Sequence, residues 1–234
     1  MSDVTLGRRA AAEAVGTGFL VAAVIGSGIA ASRLSPDDTG LQLLENSLVT
    51  GAVLVALVLA LRPVSAAFNP VITLVDRAFG HVDTATAATL VAAQVAGGVV
   101  GAVVANLMFD LPAVTLSATD RSAPHLWLAE VVATLGLVLV VVGCLRGGHA
   151  SSVAFAVGGY ITAAYWFTSS TSFANPAVTV ARMLSDTFAG IAPSSVPAFF
   201  LAQVVGGALG VALVRYLFPA ATRRPDVHLT QELR

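Results

Sequence analysis

Lysine is missing from this chain: all twelve basic residues are arginine. Charge of either sign is scarce, at 11% of 234 residues, against 56% hydrophobic residues. The surface of a soluble domain needs roughly 25–35% charged residues, so a water-soluble globule is excluded and an integral membrane protein is the natural reading. The net charge of -1 gives nucleic acid nothing to bind. The lone cysteine, Cys144, excludes an internal disulfide and a thiolate metal cage, and its apolar surroundings read as those of an inert buried thiol. His81, His125, His149 and His228 are scattered, with none at metal-ligand spacing. No nucleophile–base pairing and no metal cluster is visible, so neither an enzyme nor a cofactor is expected.

The apolar residues fall into long runs. Residues 10–32, 45–63, 85–109, 126–146, 149–168 and 195–218 are each near the roughly 20 residues that cross a bilayer as a helix. The first run is longer than a signal-peptide core and carries Glu13, so it reads as a retained helix. Two shorter apolar pieces, 69–79 and 175–186, each begin at an Asn-Pro. They are too short to span and read as half-helices dipping into the membrane. The prediction is an all-α membrane protein of six transmembrane helices plus two re-entrant half-helices.

The order span, span, half-helix, span occurs twice, over about 10–109 and 126–218. Three landmarks recur in the same order: AEAVGTGFLVAAVIGSG and AEVVATLGLVLVVVGC, SAAFNPVITL and SFANPAVTVA, AQVAGGVVG and AQVVGGALG. An odd number of spans per copy turns the second copy upside down, which defines an inverted repeat within a single domain covering 1–234. With the termini on one side, Arg8, Arg9, Arg62, Arg77, Arg146, Arg215, Arg223, Arg224 and Arg234 share that side, and Arg33, Arg121 and Arg182 take the other. The positive-inside rule makes both termini cytoplasmic, in a cell-membrane protein. The polar tail after Phe218 reads as a frayed end.

Proline fits the first turn of a helix and asparagine caps it, so each Asn-Pro announces a helix start. One copy alone reads as an ordinary loop-to-helix cap. Two copies in an inverted repeat bring the starts head to head at the midplane, with positive dipole ends converging. Asn69 and Asn175 then offer amide donors to one narrow passage, which suits small uncharged solutes and opposes cations. Gln94 and Gln203 precede Gly-x-x-x-G segments and read as helix-packing residues rather than solute contacts.

This constellation resembles the aquaporin, or major intrinsic protein, family over about residues 10–218. Asn69-Pro70-Val71 is similar to the family's first Asn-Pro-Ala with Val for Ala, and Asn175-Pro176-Ala177 matches the second. The resemblance implies a pore within each subunit of a homotetramer in the lipid bilayer. It also implies that Glu13 and Glu130 brace the re-entrant loops; the alternative is that each snorkels to an interface.

The sequence departs from its family at the outer filter. Val178 stands where most members carry the filter Arg. By offset, Ser172, Ala163 and either Thr50 or Val49 occupy the other filter positions, which implies a filter wider and more apolar than a water-only one. Arg182 shares the helix face of Val178 about one turn, roughly 5–6 Å, further out. It reads as a vestibule residue that either folds toward the pore mouth or snorkels outward. Asp76, at the matching place in the first half, reads as marking the cytoplasmic vestibule, or else as an interfacial anchor or a salt bridge to a neighbouring loop. The leading expectation is a passive channel for water plus glycerol-sized solutes or neutral metalloid hydroxides such as arsenous acid. A water-selective channel with Arg182 as filter Arg is the alternative. An ion-coupled transporter is more distant, because no ionisable residue is expected at the midplane.

Overall fold

The computed structural model describes residues 4–218, so the tail with His228, Arg223, Arg224 and Arg234 lies outside the described residues. Eight α-helices are present among them: α1 (Leu6–Leu34), α2 (Thr39–Leu61), α3 (Pro70–Ala78), α4 (Thr84–Met108), α5 (Pro124–Arg146), α6 (Val153–Phe167), α7 (Pro176–Arg182) and α8 (Val196–Leu217). Side-chain caps set several starts: Thr5, Asp38 and Asp83 accept from the third backbone amide inside α1, α2 and α4. Those caps carry α1 and α2 several residues further toward their N-termini than hydrophobicity alone outlined.

Five of these helices, α1, α2, α4, α5 and α8, are individually long and apolar enough to span. The predicted span 149–168 is divided. A 3-10 turn, Ala150–Ser152, leads into α6, which has 15 residues. At 1.5 Å per residue α6 measures about 22 Å, and the turn adds about 6 Å, close to the ~30 Å hydrocarbon core.

The two halves pack alike. α1 lies against α4, and α5 against α8, through glycines that admit no side chain. A Cβ on Gly97 would sit 2.0 Å from the Ala14 carbonyl oxygen, and one on Gly101 2.2 Å from that of Gly18. A Cβ on Gly206 would likewise sit 2.5 Å from the Val131 carbonyl oxygen. Helix backbones approach this closely only across small residues, which is how bilayer helices gain packing energy where lipid supplies no hydrophobic drive. Leu48, Val100, Leu128, Val132, Leu201 and Val205 point outward from the bundle, the inverse of a soluble protein's surface.

α3 and α7 start inside the bundle, as their Asn-Pro sequences require. α3 closes in a Schellman turn: Gly80 takes φ +81°, and the His81 amide returns to the Asp76 carbonyl at 3.0 Å. α7 stops at Arg182, short of the predicted 186. The loop after α4 takes over the next carbonyls, with Ser117 donating to Met183 at 2.9 Å and Thr115 to Leu184 at 3.1 Å.

Candidate functional site

The site is built from the two loops that lead into α3 and α7. Glu13 on α1 is fully buried, and its carboxylate accepts four hydrogen bonds. The donors are Ser65 Oγ (2.5 Å), Ala67 N (2.9 Å), Phe68 N (2.7 Å) and Gln94 Nε2 (2.8 Å). Glu130 on α5 repeats the pattern with Ser170 Oγ (2.7 Å), Phe173 N (2.9 Å), Ala174 N (2.9 Å) and Gln203 Nε2 (2.6 Å). Each Gln amide also donates to a half-helix threonine, Thr73 or Thr179, at 2.9 Å. Gln94 and Gln203 therefore do more than pack beside glycine: each ties a long helix to a half-helix through the carboxylate. A carboxylate saturated by N–H and O–H donors is the form in which a charge is tolerated in a bilayer.

The braced loops deliver two strained residues. Phe68 (φ +48°) and Ala174 (φ +46°) sit in the left-handed region immediately before Asn69 and Asn175. Such a conformation costs on the order of 1–3 kcal/mol for a non-glycine residue. The compensation is reciprocal: Asn69 Nδ2 donates to the Ala174 carbonyl and Asn175 Nδ2 to the Phe68 carbonyl, both at 2.7 Å. Each Oδ1 caps its own half-helix, from Val71 N at 2.9 Å and from Ala177 N at 3.0 Å. One N–H of each amide is thereby committed and the other is left for a ligand, because a primary amide has two donors.

Both asparagines line one elongated cavity that runs between α1, α2, α5 and α6 and the two half-helices. Its wall is mostly aliphatic, including Leu20, Val24, Leu54, Ile72 and Leu137. Among the described residues no Asp, Glu or His belongs to it. At one end of it lie Thr50, Tyr165, Ser172, Phe173, Val178 and Arg182. Tyr165 and Thr50 hydroxyls are 3.1 Å apart. The Arg182 side chain is buried, donates from Nε to the Ala189 carbonyl, and holds its guanidinium 3.4 Å from the Phe173 ring centroid. Ser172 is at φ +49°.

The major intrinsic protein family model matches residues 1–148 and 125–232. The chain belongs to the major intrinsic protein family. It is 48% identical over 231 residues to aquaglyceroporin AqpS of Rhizobium meliloti (strain 1021), covering 98% of this chain and 97% of the relative. Its fold superimposes on the aquaglyceroporin of Plasmodium falciparum with a TM-score of 0.70 and 16% identity, over 90% of this chain and 96% of that one. This major intrinsic protein is accordingly a membrane channel and not an enzyme.

Within this framework several offsets drawn from sequence are corrected. Val49 is 42% exposed and faces out of the bundle, whereas its neighbour Thr50 is buried on the cavity wall. Ala163 is also exposed, and Tyr165 takes the inward place on α6. A helix turns about 100° per residue, so a two-residue offset moves a side chain to the opposite face. The Arg182 end of the cavity is therefore not the apolar ring expected from Val178, Ala163 and Ser172, since Tyr165, Phe173 and Arg182 share it. Arg182 points inward rather than toward an interface because the segment after α7 folds over it and presents the Ala189 carbonyl.

Asp76 is not part of the cavity wall. It is buried at the end of α3 and pairs with His81 Nδ1 at 3.2 Å, the salt-bridge arrangement and not the vestibule one. The Schellman turn brings His81 back to it.

The long loop 109–123 lies over the segment after α7. Thr119 accepts from Ala192 N at 2.7 Å, and Arg121 reaches the carbonyls of Gly190 (3.0 Å) and Ser170 (3.3 Å). No sequence motif announced these contacts, because they depend on long-range backbone carbonyls.

Proposed function

We propose that this major intrinsic protein is a passive pore of the cell membrane that conducts along the cavity between Arg182 and the inner end of α2. It carries water and small neutral solutes such as glycerol. Neutral metalloid hydroxides such as arsenous acid share the size and hydrogen-bonding character of glycerol and belong to the same class of cargo. The observation that carries this reading is the paired Asn69 and Asn175 amides facing a cavity without a carboxylate or a histidine. A solute oxygen accepts from the two free N–H groups, while converging half-helix N-termini oppose a cation.

In this reading Val178 leaves room beside Ser172, and Arg182, one turn further along α7, supplies the directed guanidinium donor. Glu13 and Glu130 hold the loops, and Pro70, Val71, Pro176 and Ala177 open the half-helices. The functional unit is a homotetramer of single-domain subunits, each built of repeats at about 10–109 and 126–218. Outward-facing apolar residues supply the surfaces for lipid and for neighbouring subunits. Both termini are cytoplasmic, as the arginine distribution implies.

Stopped-flow light scattering on proteoliposomes tests the proposal, with water, glycerol and arsenite gradients compared against empty liposomes. Fast glycerol or arsenite entry with low activation energy supports it. Water flux alone favours a second reading, a water-selective pore in which Arg182 and Tyr165 close the filter. Flux that saturates at low solute concentration and follows a proton or sodium gradient points to a coupled transporter.

A further inference from the structure

The inner end of the cavity carries a second arginine. Arg62 caps the C-terminus of α2 and lines the wall together with Val58, Leu145 and Val153. Its side chain is 8% exposed. Nη1 donates to the carbonyl of Ala150, in the 3-10 turn that leads into α6, so the side chain ties the end of α2 to the start of α6. Nη2 is buried with no acceptor.

Nothing on the cavity wall neutralises this charge, because neither Asp nor Glu is among the lining residues. Burying a cation without a counter-charge is costly, and a purely structural staple between α2 and the turn needs only a neutral donor. A guanidinium stays protonated at any physiological pH, so its charge is permanent. At a low-dielectric constriction such a charge acts strongly on a passing ion and weakly on a neutral solute.

We infer that Arg62 is a second selectivity residue, a fixed positive charge at the inner mouth that excludes cations independently of Arg182 at the outer end. The inference rests on the pore reading above. A cation entering from the inner side meets Arg62 before it reaches the midplane dipoles. A neutral solute passes the same point and feels little of the field.

The experiment uses the full chain in planar bilayers and in proteoliposomes. Wild-type water and glycerol fluxes are measured first; their absence sinks the pore reading and leaves the role of Arg62 a separate matter. With flux established, Arg62→Met and Arg62→Lys are compared with wild type. Potassium conductance should rise in Arg62→Met by roughly tenfold or more, the lower range for focusing by a charged cleft, and stay near wild type in Arg62→Lys. Water flux should stay within about twofold of wild type, since neutral solutes feel little of the field. Should Arg62→Met lose its helical circular dichroism, Arg62→Gln takes its place, keeping a donor for Ala150 while removing the charge. Potassium conductance unchanged in the neutral variant overturns the inference and leaves Arg62 a staple.

Discussion

Asn69 and Ala174 are 105 positions apart in the chain, yet the asparagine Nδ2 donates to the alanine carbonyl at 2.7 Å. Asn175 and Phe68 repeat the contact in reverse. Each half-helix start is thus held by the opposite repeat, and neither loop is complete alone. Asn69→Ala removes the cap on Val71 and the donor to a carbonyl whose residue is already strained. Each buried group left without a partner costs about 1–3 kcal/mol. The variant should unfold at a clearly lower temperature in detergent and lose most of its water flux. Asn175→Ala should behave alike, and an undiminished melting temperature in both would contradict the reciprocal role.

The carboxylates make a second prediction of the same kind. Glu13 accepts from four donors, so Glu13→Gln replaces one acceptor oxygen by a donor aimed at other donors. Hydrogen bonds to charged groups are worth about 1.5–3 kcal/mol each, and at least one is lost outright. The expected outcome is reduced thermal stability with reduced flux, repeated by Glu130→Gln. Because the braced residues Phe68 and Ala174 are joined across the repeats through Asn175 and Asn69, the double variant should depart from the sum of the two single losses. Circular dichroism melts of the three variants check the additivity.

The loop 109–123, packed over the segment after α7, has a pH dependence that can be signed. Hydrogen bonds from Ser122 and Ser195 hold the exposed Asp120 carboxyl below its ordinary value of 3.8. Its contribution to anchoring the loop is therefore complete above pH 3.8 and is lost as the pH falls through the lower folded value. The protection factor of the Ser122 amide, whose N–H donates to Asp120 at 3.1 Å, should be flat from neutrality to about pH 4 and fall below it. Asp120→Asn should remove that acid response.

How much of this was legible beforehand depended on whether the signal was local. The Asn-Pro helix starts could be read because capping chemistry involves adjacent residues. The close contacts of α1 with α4 and of α5 with α8 could be read because glycine at four-residue spacing carries its own geometry. The inward face of α6 could not, since the rotation of one helix against its neighbours decides between Ala163 and Tyr165. Arg182 was left between two orientations, and the carbonyl that settles it comes from Ala189 in an irregular segment. Arg62 gave no sign at all: an isolated arginine at a helix end has the sequence appearance of an interfacial anchor.

The glycine contacts allow an internally controlled test. Gly97→Ala puts a methyl 2.0 Å from the Ala14 carbonyl oxygen, so α1 and α4 must separate. Overpacking of this sort typically costs 1–3 kcal/mol, with about the upper end expected against rigid backbone. Gly143→Ala on α5 meets only the Phe218 ring, at 3.7 Å, and should be neutral or slightly stabilising through helix propensity. Thermal melts that ranked the two variants equally would count against close helix approach as the reason for Gly97.

In the proposed pore, selectivity at the Arg182 end turns on two residues of one helix. Val178 and Arg182 are four residues apart on α7 and both line the cavity, so they share a face one turn apart. Val178→Arg adds a second guanidinium beside the first and fills the space that valine leaves. Glycerol flux should fall far more than water flux, because the smaller solute tolerates the narrower ring. Arg182→Ala has the opposite geometry: it removes the guanidinium stacked on Phe173 and widens the outer end. Glycerol should then gain on water, and solutes larger than glycerol should begin to enter. Tyr165→Phe keeps the ring and deletes only the hydroxyl partner of Thr50, so its flux ratio should stay near wild type. Stopped-flow ratios of glycerol to water for the three variants decide the matter. A ratio that moved in the same direction for Val178→Arg and Arg182→Ala would mean that width at α7 does not set selectivity.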